Sequence, residues 1–147
     1  MSVPKPPYIY DSKGNVREGV TNRAGDDRAL RLPKADLSFL RIDHQTRLQF
    51  DTTEVVIESP FVLQANGSTY RLDPGDRAGL GPLLAIYPDT LVDATVDGSA
   101  ILVLRFASGA SITVEQDPSY EAWQVNGPGN YLVVCTPGTE GNLAIWT

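Results

Sequence analysis

Glu121 is the residue whose type and position best suit binding chemistry. It follows Tyr120 and precedes Trp123, and an internal repeat described below aligns it with Phe61, on the inward face of a strand. A carboxylate on an apolar face must find hydrogen-bond partners or change its pKa. Tyrosine and tryptophan recur at protein-binding hot spots. We therefore expect a partner- or ligand-binding site at these residues. The alternative is a carboxylate that caps backbone amides or pairs with an arginine.

The other reactive residue types form no catalytic pattern. His44 is the only histidine and Cys135 the only cysteine, so a zinc site of several Cys and His ligands and an intramolecular disulfide are both excluded. His44 follows Asp43 in a predicted turn, which suits a solvated side chain better than a catalytic base. From residue 37 onward there is no lysine to complete a phosphate-binding loop. We predict a protein that is not an enzyme, with no catalytic residue, metal or cofactor.

Charge is divided unevenly along the 147 residues, whose net charge is −6. Residues 1–36 carry seven Lys/Arg against five Asp/Glu, whereas the rest carries five Arg against thirteen Asp/Glu. An acidic body disfavours nucleic acid and anionic membranes and favours a basic protein partner. The alternative is that acidity serves solubility alone. With no signal peptide pattern, no long apolar run and one cysteine, a cytoplasmic location is expected.

Short strings recur along the chain at a nearly constant offset. The string QANG at residues 64–67 returns as QVNG at 124–127, and LAIY at 84–87 returns as LAIW at 143–146. A tyrosine and a Pro-Gly pair lie between the two strings in both places. We interpret this as an internal duplication, with halves at residues 37–87 and 91–146 of a single domain spanning 37–147.

Residues 1–36 show no sustained periodicity and hold three prolines within residues 4–7. We interpret them as an irregular N-terminal arm, with Tyr8 and Tyr10 as its anchors. The arm packs on its own domain, or it binds a partner, and a homo-oligomer formed through it is one form of the second alternative. Opposite charge signs of arm and body favour such docking.

Apolar residues alternate with polar ones through most of the body, which predicts antiparallel strands with one buried face. The fold class expected is mainly β: two similar meander halves that form a β-sandwich or a partly closed barrel, with a short helix at residues 78–87 between them. Asn66-Gly67 and Asn126-Gly127-Pro128-Gly129 are the predicted hairpin turns. Trp123 is predicted to pack in the core. The predicted inward residues include Leu48, Phe50, Val55, Ile57, Val92, Ala94, Val96, Leu102, Leu104 and Phe106, and the predicted helix face is Leu80, Leu83, Leu84 and Tyr87.

The order Leu-x-Phe, Ile-x-Val, YEAW at residues 120–123, Pro137-Gly138 and a closing LAIW resembles a family of small actinobacterial domains of unknown function. The resemblance covers residues 37–147. Members commonly carry Pro-Gly-Gly where this chain has Thr139 after Gly138, so a close backbone approach at that point is not implied here. The family implies no established activity.

These features favour a non-enzymatic protein-binding module. An immunity-type inhibitor and an assembly component are two roles that such a module would suit. Its acidic surface and a tyrosine and tryptophan patch would hold another protein. The alternative is a small-ligand-binding β-domain with a pocket between the two halves, around Trp123 and Trp146. The residues expected to bind are Tyr120, Glu121, Trp123, Trp146, Tyr8 and Tyr10.

Overall fold

The computed structural model describes residues 9–10, 16–17, 28–30, 32–141 and 143–146, and for 9–10, 16–17 and 28–29 it describes the backbone alone. Two-residue strands and longer ones alternate with short turns along the described chain. The strands are β1 (Ile9–Tyr10), β2 (Val16–Arg17), β3 (Arg28–Ala29), β4 (Leu37–Ile42), β5 (Thr46–Phe50), β6 (Thr53–Ile57), β7 (Phe61–Ala65), β8 (Ser68–Leu72), β9 (Leu91–Val96), β10 (Leu102–Phe106), β11 (Ser111–Val114), β12 (Trp123–Asn126), β13 (Leu132–Cys135) and β14 (Leu143–Trp146), with a 3₁₀ helix at Arg77–Ile86 between β8 and β9.

The strands form two open sheets that pack face to face. Sheet A has the order β2-β1-β14-β13-β12-β6-β5-β4, and sheet B has the order β3-β9-β10-β11-β7-β8. Neighbours pair antiparallel throughout, apart from the parallel pair β1 and β14. The predicted mainly β fold is confirmed, and it is a β-sandwich. The sequence leaves a partly closed barrel as the alternative, and the two sheets do not close into a barrel.

Each sheet combines a meander from one half of the chain with a hairpin from the other. Sheet A joins the β4–β6 meander to the later β12–β13 hairpin, through the pairing of β6 with β12. Sheet B joins the later β9–β11 meander to the β7–β8 hairpin, through the pairing of β11 with β7. Both halves therefore contain a meander followed by a hairpin that crosses to the opposite sheet. The internal duplication itself stays a prediction.

The two repeated Asn-Gly strings occupy different places in their hairpins. Asn66 and Gly67 have φ of 53° and 77° and form the two-residue turn of β7–β8, as predicted. Asn126 lies in β12 instead, paired with Leu132, and the positive φ values move to Gly129 and Asn130. The predicted turn at residues 126–129 therefore lies at the β12–β13 connection, but it begins one residue later and includes Asn130. The longer insertion after Gly127 carries its own Gly-Asn pair, which supplies the left-handed conformations that the turn needs.

One apolar core fills the space between the sheets. Phe50 of sheet A and Phe106 of sheet B meet across it with ring centroids 6.1 Å apart. Val92 is an exception among the predicted inward residues, because the β9–β10 register shifts near Phe106 and turns Leu91 inward in its place. The largest fully buried side chains are Trp123, Phe50, Phe61, Leu37, Leu48, Ile57, Leu63, Leu80, Leu83, Ile86, Leu91 and Leu102.

The predicted helix between the halves is a 3₁₀ helix with a different buried face from the one expected. Leu80, Leu83 and Ile86 are buried, whereas Leu84 and Tyr87 are exposed. A 3₁₀ helix repeats every three residues, so residues 80, 83 and 86 fall in one row and residues 84 and 87 in another. The expected face that included Leu84 and Tyr87 is therefore wrong. No helix in the described part of the chain is long and apolar enough to cross a membrane.

The chain already pairs with the body before residue 37. β3 lies antiparallel to β9, and the Leu30 amide donates to the Ala94 carbonyl at 2.9 Å. Leu30 is buried in the common core. The Leu91 amide donates to the Ala35 carbonyl at 2.9 Å, so the segment follows β9 along most of its length. The boundary between arm and body at residue 37 stays a prediction, and the pairing of residues 28–36 is a structural addition to it.

Candidate functional site

The loop between β11 and β12 is held in place by Asp117. Its Oδ1 accepts hydrogen bonds from the backbone amides of Ser119 and Tyr120 at 2.8 and 3.1 Å. Its Oδ2 accepts from the Ser59 hydroxyl at 3.3 Å, and its carbonyl accepts from the Gly138 amide at 2.9 Å. An aspartate that bonds the backbone two residues ahead is a common turn-fixing device. Four bonds to one residue therefore fix the loop before any partner arrives.

This loop presents Tyr120 and Glu121 to solvent. The Tyr120 side chain is 66% exposed, the highest value among the exposed large hydrophobic side chains of the described residues. Glu121 is exposed too, so its expected inward position is wrong. β12 begins only at Trp123, so the strand alternation that the repeat implies does not reach Glu121. Among the described residues no Lys, Arg or His lies within ion-pair distance of its carboxylate.

Two other carboxylates lie near Glu121. The Glu58 amide donates to the carbonyl of Ala122 at 2.9 Å, which brings Glu58 beside the loop. Asp117 lies in the same loop as Glu121, and its Oδ1 accepts a hydrogen bond from the amide of Tyr120, the residue before Glu121. We call the set Glu58, Asp117, Tyr120 and Glu121 the acidic corner. It combines an exposed aromatic ring and two carboxylates of the fixed loop with Glu58 at the end of β6, whose carboxylate accepts a hydrogen bond from the Gln45 side chain.

Trp123 lies in the core directly after this loop. The side chain is fully buried in the common core, as predicted, together with its three predicted neighbours Leu102, Leu104 and Phe106. Its Nε1–H donates to the Ala100 carbonyl at 3.0 Å. A ring with no exposed area offers a partner no surface, so Trp123 positions the start of β12 and the loop before it.

Trp146 lies at a different place on sheet A. It pairs with Leu132, and Leu132 pairs with Asn126 at the other end of β12 from Trp123. The two ends of a four-residue strand are roughly 10 Å apart. Trp146 is 38% exposed on the outer face, whereas Trp123 points into the core. The expected tyrosine and tryptophan patch is therefore two separate places.

Of the two predicted anchors in the arm, the structure places one. The backbone of Tyr10 is the parallel neighbour of Trp146, so these two predicted site residues come together. Tyr8 lies outside the described residues. Tyr10 and Trp146 are too distant in the strand order to join the acidic corner, which adjoins β6 and the opposite end of β12.

The described residues line two surface hollows of note, and neither of these two lies between the halves. The larger, of about 610 Å³, is an open depression on the outer face of sheet A at the β12–β13 turn, lined by Asn126, Gly127, Gly129, Asn130, Tyr131, Leu132 and Trp146. The smaller, of about 160 Å³, lies between β9 and the segment before β4. Because Trp123 and Trp146 lie on opposite faces of sheet A, one pocket is not lined by both.

The outer face of sheet A also carries a chain of ion pairs that the sequence patterns did not reveal. Asp43 Oδ2 lies 3.4 Å from Arg41 Nε and 3.5 Å from Arg47 Nε, and Arg47 Nη1 lies 3.0 Å from Glu54 Oε1. A hydrogen bond from the Gln45 amide, with smaller effects of the two arginines, lowers the pKa of Asp43. Each charge is compensated within the set. The alternation of charged residues along β4, β5 and β6 is the sequence pattern that could have revealed these ion pairs.

The reactive residue types remain separate in the fold. His44 is exposed in the β4–β5 turn, and Cys135 is fully buried. Burial, with smaller contributions from the nearby carboxylates, raises the pKa of the Cys135 thiol to about 12. Within the described residues, no group of three or more His, Cys, Asp and Glu side chains could hold a metal ion. The loop anchor Asp117 was also missed, although an aspartate shortly before free backbone amides is a readable signal.

Comparison with known proteins places this chain among relatives that have no assigned activity. A family model described as a family of unknown function, DUF6188, matches residues 29–147. No curated protein and no solved structure matches the chain. The match includes Ala29, Leu30 and Ala35, which lie against β9. The resemblance to an uncharacterised domain family is thereby confirmed, and the chain belongs to the DUF6188 family of unknown function.

Proposed function

We propose that this chain is a non-enzymatic protein-binding module whose acidic corner binds a basic surface of another protein. The observation that carries the proposal is the exposed Tyr120 beside Glu121, on a loop that Asp117 already fixes. An immunity-type inhibitor and an assembly component are both roles that such a surface suits. Nucleic acid and anionic membranes suit it poorly, because the corner would repel phosphate.

Three physical properties support a protein partner. Tyrosine buries a large area with few rotatable bonds, which is why it recurs at binding hot spots. A loop that is ordered before binding pays less conformational entropy on association. The Glu121 carboxylate has no cationic partner among the described residues, so an incoming Lys or Arg does not have to break an existing ion pair. Association should therefore be fast at low salt and slower as salt is added.

The test is affinity capture with the tagged protein from an extract of the organism that makes it, with quantitative mass spectrometry. Tyr120→Ala and Glu121→Lys should each lose the same captured protein by about tenfold or more, as expected for a hot-spot residue. Tyr70→Ala and Asp76→Lys are the matched controls, because both residues are exposed at other places. The controls should retain the captured protein at the wild-type level.

The purified pair then gives the salt dependence of association. A partner with an acidic surface, or one that the control variants lose equally, would refute the assignment of the corner. A failure to capture any protein at low salt would refute the binding function itself.

The open hollow at Trp146 favours a second candidate function, the binding of a small ligand. Its lining combines the partly exposed Trp146 with two amide side chains, Asn126 and Asn130. Aromatic faces with a few polar groups are typical of ligand sites. A ligand bound there should change the fluorescence of Trp146 and leave the buried Trp123 unaffected. The change should therefore persist in Trp123→Phe and disappear in Trp146→Phe, and the opposite result would exclude this site.

A further inference from the structure

The outer edge of β4 is the feature that the proposed function leaves unused. β4 is the last strand of sheet A, and β9 is the corresponding first strand of the meander in sheet B. β9 is covered on its outer edge by β3 and the segment that follows it. Along residues 39–42 of β4, no described residue pairs with the outer edge. One meander therefore has its first strand covered, and the other has it open.

The ladder with β5 shows which backbone groups point outward. The Asp43 amide donates to the Gln45 carbonyl at 3.1 Å, and hydrogen-bonded pairs alternate from there, so Arg41 and Phe39 bond to β5. The amides and carbonyls of Leu40 and Ile42 then point away from the sheet. The alternation is interrupted at Ser38, where the β4–β5 register shifts, although the Ser38 carbonyl accepts a hydrogen bond from the Tyr87 hydroxyl at 3.0 Å.

Exposed apolar side chains collect around this edge. Phe39 is 51% exposed and Tyr87 48% exposed, and the Tyr87 hydroxyl contacts β4 directly. Leu84 is 62% exposed in the same row of the 3₁₀ helix as Tyr87. With Ile42, these make four of the eight exposed large hydrophobic side chains of the described residues. An open edge with apolar neighbours is a template for strand pairing.

We propose that the β4 edge pairs antiparallel with the β4 edge of a second copy of this chain. The outward groups of Leu40 and Ile42 allow Leu40 to pair with Leu40 of the partner copy. The Ile42 amide then faces the Ser38 carbonyl of the partner copy, which accepts from Tyr87 and has a second lone pair for this bond. Phe39 then lies directly opposite Arg41 of the partner copy on the outer face, twice per dimer. The guanidinium and its methylene stem pack on the ring, a favourable cation–π arrangement.

The neighbouring registers are poorer. A dimer centred on Arg41 would place the two Arg41 side chains opposite each other, and like charges directly opposite are destabilising. A dimer centred on Phe39 would need the edge at residues 36 and 37. That edge is occupied, because Asp36 bridges Thr90 and the Leu37 amide donates to the Asp89 carbonyl at 2.8 Å. The register centred on Leu40 avoids both problems.

Substitution of Phe39 by either charge tests both the dimer and its register. In the proposed register Phe39→Glu faces Arg41 of the partner copy and should tighten the dimer, whereas Phe39→Lys should weaken it. Two cross-strand ion pairs change the dissociation constant by about 2- to 30-fold in each direction. Net charge predicts the opposite order, because each copy already carries −6 and the glutamate adds to it. The direction in which each substitution changes the dissociation constant is therefore specific to the proposed register.

Sedimentation velocity of the full chain over a range of concentrations gives the dissociation constants. Tyr70→Glu and Tyr70→Lys on β8, the edge strand of sheet B, are the matched controls and should leave the dissociation constant unchanged. Hydrogen exchange should show that the Leu40 and Ile42 amides of the wild-type chain become protected as concentration rises. Circular dichroism checks that every variant is folded.

Several results would overturn the proposal. A wild-type chain that stays monomeric up to about 1 mM has no dimer of useful affinity. A dimer that Phe39→Lys tightens is centred on Arg41, where residue 39 faces Asp43 of the partner copy. A dimer that both charges weaken equally is centred on Phe39, and one that responds to the Tyr70 variants uses another edge. The binding test of the acidic corner is independent of all four results.

Discussion

Replacement of Trp123 tests the packing of the sandwich most directly. Trp123 heads the fully buried side chains by volume, and its Nε1–H bonds the Ala100 carbonyl at 3.0 Å. Truncation of a buried Trp to Ala costs about 3–5 kcal/mol. The Ala100 carbonyl would keep only the weak Cys135 thiol donor at 3.9 Å, which adds about 1–3 kcal/mol. A domain has only about 5–15 kcal/mol of stability, so we expect Trp123→Ala to lose a large part of it and, at the lower end of that range, to be unfolded at 25 °C.

Trp123→Phe separates the two contributions. The phenyl ring retains much of the packing and loses the hydrogen bond, so we expect a loss of about 1–3 kcal/mol in the free energy of unfolding. The measurement is urea denaturation followed by far-ultraviolet circular dichroism, since fluorescence would change with the fluorophore itself. Trp146→Phe is the matched control and should change the free energy of unfolding by less than about 1 kcal/mol, because its side chain is partly exposed.

A Trp123→Phe variant with the same urea midpoint and slope as the wild type would refute this reasoning. It would mean that the Ala100 carbonyl finds another donor at no cost, or that the indole does not pack as described. A Trp146→Phe loss as large as that of Trp123→Phe would show instead that the outer face of sheet A is as important for stability as the core.

Two further predictions concern Cys135 and Gly141. We expect the Cys135 thiol, whose pKa burial raises to about 12, to resist disulfide reagents at pH 8 in the native protein and to react at once in urea. Because its folded pKa lies above the reference value of 9.0, the stability it contributes is present below about pH 9.0 and lost as pH rises towards 12, which a pH series of urea midpoints would show. Gly141 has a φ of 73°, and a Cβ there would collide with the Gly98 carbonyl, whereas Gly67, with a φ of 77°, has open space around it. Gly141→Ala should therefore lower the free energy of unfolding by at least about 2 kcal/mol and Gly67→Ala by about 1 kcal/mol, and equal losses would contradict the steric explanation.

The sequence predicts those elements whose structure depends on local alternation. Leu48 with Phe50 and Val55 with Ile57 point into the core as the period of two requires. Asn66-Gly67 forms the predicted turn because two left-handed residues suit a tight hairpin. These results depend on neighbours a few residues apart, which a single sequence contains.

The predictions that were wrong concern positions where strand geometry is interrupted. Val92 lies beside a register shift, and Glu121 lies two residues before its strand begins. Leu84 fits an α-helical face and not the 3₁₀ row that forms. Alternation says nothing about where a bulge or strand end falls, so inward and outward positions were exchanged at these residues.

The candidate site was predicted in part. Tyr120 and Glu121 were singled out by residue type, and both are exposed together at the acidic corner. Their separation from Trp146 depends on the order of strands in sheet A, which no local pattern encodes. The open β4 edge was not foreseen for the same reason, since an edge exists only after every other strand has found its neighbour.

The exchange of hairpins between the halves has a consequence for synthesis on the ribosome. β6 is complete once residue 57 has emerged, but its neighbour β12 begins only at residue 123. β7, in turn, must wait for β11 at residues 111–114. Neither sheet can be completed from the first half alone, so the nascent chain exposes one edge of two apolar strands, β6 and β7, until β11 and β12 have emerged. A chaperone that binds short extended apolar segments would meet β6 and β7 during that interval, and release would be timed by the emergence of the second half.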